Sequence, residues 1–315
     1  MDALVQGDGM AGLAALLVAM IRAATPLALA AVGELVAEKA GVLNLGVEGM
    51  MLVGAVTAFA TMVSTGSPAL ALLAAMLAAT AMALLFGVLT LSLMANQVAT
   101  GLALTIFGIG LSAFIGKGFI GIPIEGLAPL SVPGLSTIPL LGPVLFGQDA
   151  LVYASVALTL AVSLVLYRTR AGLIIRAVGE NHAAAHAIGY PVLGIRYLCV
   201  LFGGAMAGLA GAYLSLVYTP MWVESMTSGR GWIALALVVF ATWKPGRVLL
   251  GAYLFGGVTI LQLHAQGLGL AVSSHILSML PYLATILVLV LISRDGVKIR
   301  LNAPACLGKV FRPES

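Results

Sequence analysis

The feature that most constrains this chain is a series of apolar runs of eighteen residues or more, repeated along almost its whole length. About 20 apolar residues in a helix cross the hydrocarbon core of a bilayer. Segments at about 11–33, 45–64, 69–93, 98–116, 149–167, 195–218, 228–243, 248–266 and 275–293 give nine predicted spans, with eight or ten as the neighbouring counts. Every backbone amide in lipid must be paired internally, and spans of this length, rather than ten alternating residues, predict an all-α helical bundle. Only 8% of residues are charged, against about 25% in soluble domains, which excludes a water-soluble enzyme fold. Met1-Asp2-Ala3 offers no positive n-region and no cleavage site precedes the first run, so that run is expected to stay in the membrane.

Charge sets the expected orientation. The formal charge is +4, but the 15 Lys and Arg form no dense patch, which argues against a nucleic-acid partner. With the N-terminus outside, Lys39, Arg168, Arg170, Arg176, Arg196, Lys244, Arg247, Arg294, Lys298, Arg300, Lys309 and Arg312 all become cytoplasmic. Lys117 and Arg230 fall outside and Arg22 lies within a span, so the positive-inside rule predicts N-out and C-in. The segment 228–243 is about 24 Å long as a helix, short of a roughly 30 Å core, and reads as a half-helix or a tilted span. A true crossing there keeps the basic tail 294–315 inside. The whole chain, 1–315, reads as one transmembrane domain, and Gly204, Gly208 and Ala212 form a small-residue row suited to helix packing.

The loops have distinct characters. The external loop 117–147 carries Pro123, Pro129, Pro133, Pro139 and Pro143, too many for a long helix; it is either a rigid surface for an external partner or a plain connector. The cytoplasmic loop 169–191 predicts a short helix, with Asn181 as N-cap, 182–188 as body, Gly189 at C′ and Pro191 beyond. Its small, weakly apolar body suits docking into a partner's groove.

Catalytic motifs are missing. Gly116-Lys117 approaches a phosphate-binding loop, but Leu111 and Gly118 replace the required Gly and Ser or Thr. No GxSxG, no HExxH and no pair of carboxylates within one expected span is visible, and no cofactor is implied. Cys199 and Cys306 offer neither a disulfide framework nor a CxxC site. His182 and His186 share a helix face, yet only Glu180 lies nearby, so both are read as surface residues of the docking helix rather than metal ligands.

Polar residues near the spans have two readings each. Asn44 can cap the second span and Glu48 can sit in its first turn at the positive dipole end, or the two can line or gate a polar path; these readings are compatible. Asn96 and Gln97 either mark a short cytoplasmic turn or join that path. Arg22 must face the bundle or water, because an unpaired charge at mid-bilayer costs about 2.5–3.5 kcal/mol or more. Trp222, Glu224 and Arg230 precede the seventh span, where Trp222 serves as an interfacial anchor or the three form an entry site for a polar, ring-bearing solute.

These residues carry a resemblance. The stretch from Gly33 to Leu52, with Glu34, Glu38, Asn44, Glu48 and Gly49 in it, resembles the signature of ABC transporter permeases that import nucleosides with basic-membrane-protein lipoproteins, within the ribose and branched-chain amino acid permease superfamily. Asn96-Gln97-Val98-Ala99-Thr100-Gly101 is similar to a second block. The run Arg176 to Asn181, with Gly179 and Glu180, followed by Ala183, Ala184, Ala185 and Gly189, is similar to the family's coupling loop, and Gly229 to Ala236 resembles a fourth block. His182 stands where the family usually has Pro, and His186 where Asp is frequent. The resemblance implies a non-catalytic permease of the cell's inner membrane. Its implied partners are a second, related permease, a separate ABC ATPase and an external substrate-binding lipoprotein. The pathway or gate is expected at Asn44, Glu48, Asn96, Gln97, Trp222, Glu224 and Arg230, and ATPase coupling at Gly179, Glu180, Asn181, Ala183, Ala184, Ala185 and Gly189.

Overall fold

The computed structural model describes residues 2–130, 134–136, 138–267 and 302–312, with isolated positions between 279 and 290. Ten α-helices follow one another among them: α1 (Asp2–Lys39), α2 (Val47–Thr65), α3 (Pro68–Gly87), α4 (Gln97–Gly116), α5 (Ala150–Arg168), α6 (Arg170–Glu180), α7 (His182–Ala187), α8 (Val192–Tyr213), α9 (Arg230–Phe240) and α10 (Pro245–Gly267). No strand longer than an isolated bridge occurs among the described residues. Seven of these helices are long and apolar enough to cross a membrane; α6, α7 and α9 are not. The expected span 275–293 lies outside the described residues apart from isolated positions.

The helix α8 is the centre of the bundle. Its best apolar window is 78% buried, against 28% for α4, and it packs on α1, α2 and α3. The small-residue row explains the closeness: Gly204 lies against Ala79 and Ala83 of α3, Gly208 lies against Ala75 and Ala79, and Ala212 joins Ala58, Ala71 and Ala75. Side chains there would separate the two backbones and remove the packing that holds helices together in lipid. Leu73 and Leu77 of α3, Ile106 and Phe114 of α4, and Leu160 and Leu164 of α5 remain exposed, as lipid-facing positions should.

The helices alternate in direction between two ends. Along α8, Ala75 of α3 meets Gly208 while Gly87 meets Tyr197, so these two run antiparallel. Trp243, just before α10, bonds Glu38 of α1, whereas Gly256 packs on Met20 and Ala24, so α1 and α10 are antiparallel too. One end of the bundle therefore collects Lys39, the start of α8, and α6 with α7. The segment 302–312 sits at this same end, through Lys39 Nζ donating to the Asn302 carbonyl at 2.7 Å.

Two boundaries differ from expectation. The helix α1 continues past residue 33 to Lys39, because Glu34 and Glu38 are buried with hydrogen-bond partners and so do not mark a membrane exit. The seventh segment is helical over only 11 residues, Arg230–Phe240, about 16 Å. Before it, Trp222 packs on Ala55, Val56 and Phe59, and Gly231 then abuts Glu48, so the chain descends α2 in a non-helical leg and continues as a half-helix. Non-helical backbone at such a depth is tolerated where protein surrounds it. The proline-rich loop is tied to the start of this leg: Ile124 N donates to the Pro220 carbonyl and Leu127 N to that of Leu216.

Candidate functional site

Two polar centres stand out, one inside the bundle and one at the Lys39 end. The inner centre is built on Glu48, only 5% exposed in the first turn of α2. Its Oε1 accepts from the Thr227 hydroxyl at 2.5 Å and the Gly229 amide at 2.9 Å, and its Oε2 from the Gly231 amide at 2.6 Å. The first amides of a helix have no partner within it and carry the positive end of its dipole, so a carboxylate is the natural acceptor for α9. Gly231 permits the approach: a Cβ there would lie 2.6 Å from the Glu48 backbone. Glu48 thus serves the start of α9 rather than its own helix alone.

Asn44 does not cap α2, contrary to expectation. The cap position is Gly46, without a side-chain bond, and Asn44 Oδ1 instead accepts from the Gly46 amide at 2.9 Å, closing a tight turn before the helix. The Asn44 amide donates to Glu34 Oε1 at 2.9 Å, and the Leu43 amide to Gln97 Oε1 at 2.8 Å. Gln97 is buried, and its Nε2, like Glu34 Oε2, has no partner among the described residues. Asn96 is exposed and caps α4 through the Ala99 amide at 3.0 Å. Asn44, Gln97 and Glu34 therefore form one buried network at the base of α2 and α4, next along the chain to Glu48.

The expectation of no carboxylate pair within one span is corrected here, since Glu34 and Glu38 both lie in α1 one turn apart. They fall beyond residue 33, the expected end of that span, because α1 continues to Lys39. Both are engaged: Glu34 with Asn44 and Glu38 with the Trp243 indole. Arg22 lies near Tyr213, whose hydroxyl donates to Asp149 Oδ2 at 3.2 Å, and its buried Nε finds no partner among the described residues.

The three outer residues have different surroundings. Trp222 is buried among Ala55, Val56 and Phe59 with its indole against Gly116, so it is not an interfacial anchor. Glu224 is exposed. Arg230 Nη1 donates to the carbonyls of Met226 and Thr227 at 3.2 Å each and its guanidinium covers the Tyr218 ring at 5.3 Å.

The second centre surrounds α7. Gly179, at the end of α6, lies against the Lys39 carbonyl, closer than any side chain would allow. Asn181 Oδ1 accepts from the Ala184 amide at 2.9 Å, and Gly189 takes φ of 94°, a conformation that favours glycine. Ala185 is buried while Ala183, Ala184, Ala187 and Ile188 are exposed, leaving a small, apolar outer face. Glu180 keeps its carbonyl against Cys306 Sγ at 3.3 Å.

His186 is exposed and His182 half-buried, so both stay at the surface of α7 as expected, but they also meet a residue from the far end of the sequence. Both rings pack edge-on against Phe311, with centroids 5.1 Å away for His182 and 5.4 Å for His186. Burial, then the nearby charges of Arg196 and Lys309, hold the His182 imidazole below its ordinary pKa. Nothing in the local sequence of 182–189 signals these contacts, because Phe311 is more than a hundred residues away.

A family model described as branched-chain amino acid transport system / permease component matches residues 16–292. The chain belongs to this permease family. Among curated proteins it is similar to a putative glucose ABC transporter permease of Haloferax volcanii, 42% identical over 96% of this chain and 98% of the relative. A guanosine ABC transporter permease of Bacillus subtilis is 34% identical over 90% of this chain and 92% of its own. A nucleoside ABC transporter permease of Lactococcus lactis is 32% identical over 86% and 90%. No solved structure matches the chain. The permease is therefore a multi-pass membrane subunit of an ABC importer, itself non-catalytic, and ATP is hydrolysed by a separate ATPase.

Proposed function

We propose that this permease carries a nucleoside or nucleobase inward across the cell's inner membrane by alternating access. The observation that carries the substrate class is the pair of relatives named for guanosine and nucleosides, each covering more than four fifths of this chain. A second reading, glucose or another small polar solute, is favoured by the putative glucose permease at 42% identity.

The N-terminus lies outside and the tail inside, with nine crossings. Two features support that count: the leg-and-half-helix from Tyr218 to Trp243, and the return of Asn302 to Lys39, the end at which α10 begins. Glu48, Asn44 and Gln97 act as the gate, where the half-helix α9 meets α2 and α4; half-helix N-termini face the transport path in other transporters built this way. Asn96, Trp222, Glu224 and Arg230 support that path from the turn and the outer leg. Residues 179–189 dock on the ATPase, supported by the exposed apolar face of α7. A second, related permease and an external binding lipoprotein complete the assembly, the latter meeting the loop 117–147.

The test is uptake of labelled guanosine and labelled glucose into proteoliposomes holding the permease with and without its ATPase, second permease and binding protein. Uptake should need every partner and ATP, and competition should show which solute is carried. Gly189→Val, which forces a side chain into the left-handed region, should abolish uptake while insertion is normal. Uptake by this chain alone on an ion gradient would overturn the proposal.

A further inference from the structure

Residues 302–312 form a strap across the Lys39 end of the bundle, with contacts to the end of α1, α6, α7 and α8. The Cys306 amide donates to the Gly179 carbonyl at 2.8 Å and the Gly308 amide to that of Gly41 at 3.2 Å. Lys39 Nζ holds the Asn302 carbonyl. Phe311 is 5% exposed and packs with Val178 of α6, Ala185 of α7 and Val192 of α8, between the two histidine rings.

Arg196 is the hub beneath the strap. It is fully buried, yet no carboxylate meets it among the described residues. Nε donates to the Ala40 carbonyl at 3.2 Å, Nη1 to the Lys309 carbonyl at 3.1 Å, and Nη2 lies 3.4 Å from His182 Nδ1. A rigid guanidinium fork can bind three directions at once, and here the three are the end of α1, the strap and the start of α7. Burying a cation costs energy that only such complete bonding offsets. A six-residue helix has little stability of its own. Without the strap, α7 would be tied to the bundle only by its chain connections and one face.

We propose that the strap, through Phe311 and Arg196, is a positioning element for coupling: it keeps α7 rigid on α1 and α8, so that ATPase movement displaces the bundle instead of bending the loop. This rests on the reading of α7 as the ATPase dock. The residues concerned touch neither solute nor nucleotide.

The experiment uses the full complex of permease, ATPase, second permease and binding protein, carrying Phe311→Ala, Phe311→Tyr or His182→Ala. Two quantities are read: hydrogen exchange of the 182–190 amides, which needs no solute, and ATP hydrolysed per labelled guanosine or glucose moved. Phe311→Ala should co-purify with its ATPase at the unaltered yield. Its α7 amides should exchange roughly tenfold faster, and ATP per solute should rise about threefold, a modest coupling loss. His182→Ala should show smaller changes in the same direction, and Phe311→Tyr, which keeps a ring, should restore both quantities. Unchanged exchange in Phe311→Ala and His182→Ala overturns the proposal, as does faster exchange with unchanged ATP per solute. Loss of ATPase binding also overturns it, because the strap would then be part of the dock rather than its support. Uptake by the unaltered complex that ignores ATP would overturn the coupling reading alone, since the exchange measurement stands apart from it.

Discussion

Glu48 shows how one carboxylate can define a junction between elements 180 residues apart in sequence. It accepts two amides and one hydroxyl from the start of α9. Leaving such donors buried and unpaired costs about 1–3 kcal/mol each, so Glu48→Ala should lower stability by about 3 kcal/mol or more. Glu48→Gln keeps one carbonyl acceptor and should cost about half as much, with uptake falling in step. Thermal unfolding in detergent, set beside uptake, checks this. If Glu48→Gln abolishes uptake with unfolding unchanged, the carboxylate serves the solute rather than the junction. Sequence made this residue visible as polar, first-turn and set among glycines, but not its partners, because a helix's own first turn explains an acidic residue so cheaply. The cap reading of Asn44 fails for the same reason: an Asn before an apolar run suits a cap, while a turn two residues earlier uses the same side-chain oxygen. Asn96 satisfied its local reading because its bond, to Ala99, is local.

Among elements, α7 was legible almost to the residue. Its signals, the Asn181 cap and the Gly189 terminus, act within a turn of the helix they bound. The strap was not legible, since a tail that packs as irregular chain has neither period nor cap to announce it. Its hold on α7 has a consequence for pH. His182 has its pKa lowered by burial, Arg196 and Lys309, so below its ordinary value of about 6.5 the detached state binds more protons than the docked one. The contact is thus at full strength above that value and weakens as pH falls through it. The groups facing the ring are Arg196 from α8 and Lys309 and Phe311 from the strap, and neither cation favours the protonated form. Protection of the 305–311 amides, corrected for intrinsic exchange, should fall between about pH 7.5 and about pH 5.5 in the unaltered protein. In His182→Phe the fall should vanish; a fall of equal size there would assign the effect to another group.

For the whole molecule, the apolar runs foretold helices, and their alternation along α8 follows from the short turns between them. The shortness of α9 was foreshadowed by the segment 228–243, about 24 Å as a helix, and its helix proves shorter still, 11 residues after a non-helical leg along α2. The centrality of α8 was hinted at only by its glycines, because hydropathy is similar for buried and lipid-facing helices in a chain that is 61% hydrophobic. Two ends with unlike contents make the topology testable. The α7 region and the strap share one end, while the loop 117–147 and the start of α5 share the other. In a background with Cys199 and Cys306 replaced by Ser, His186→Cys and Lys309→Cys should both react with a membrane-impermeant thiol reagent only in inverted vesicles. Lys117→Cys should react only in right-side-out vesicles. If Lys309→Cys labels from the side opposite to His186→Cys, the strap does not reach α7 in the membrane, and an odd number of crossings separates residue 190 from residue 302. If all three exchange sides together, the arrangement of the ends stands and the positive-inside assignment of the chain is reversed.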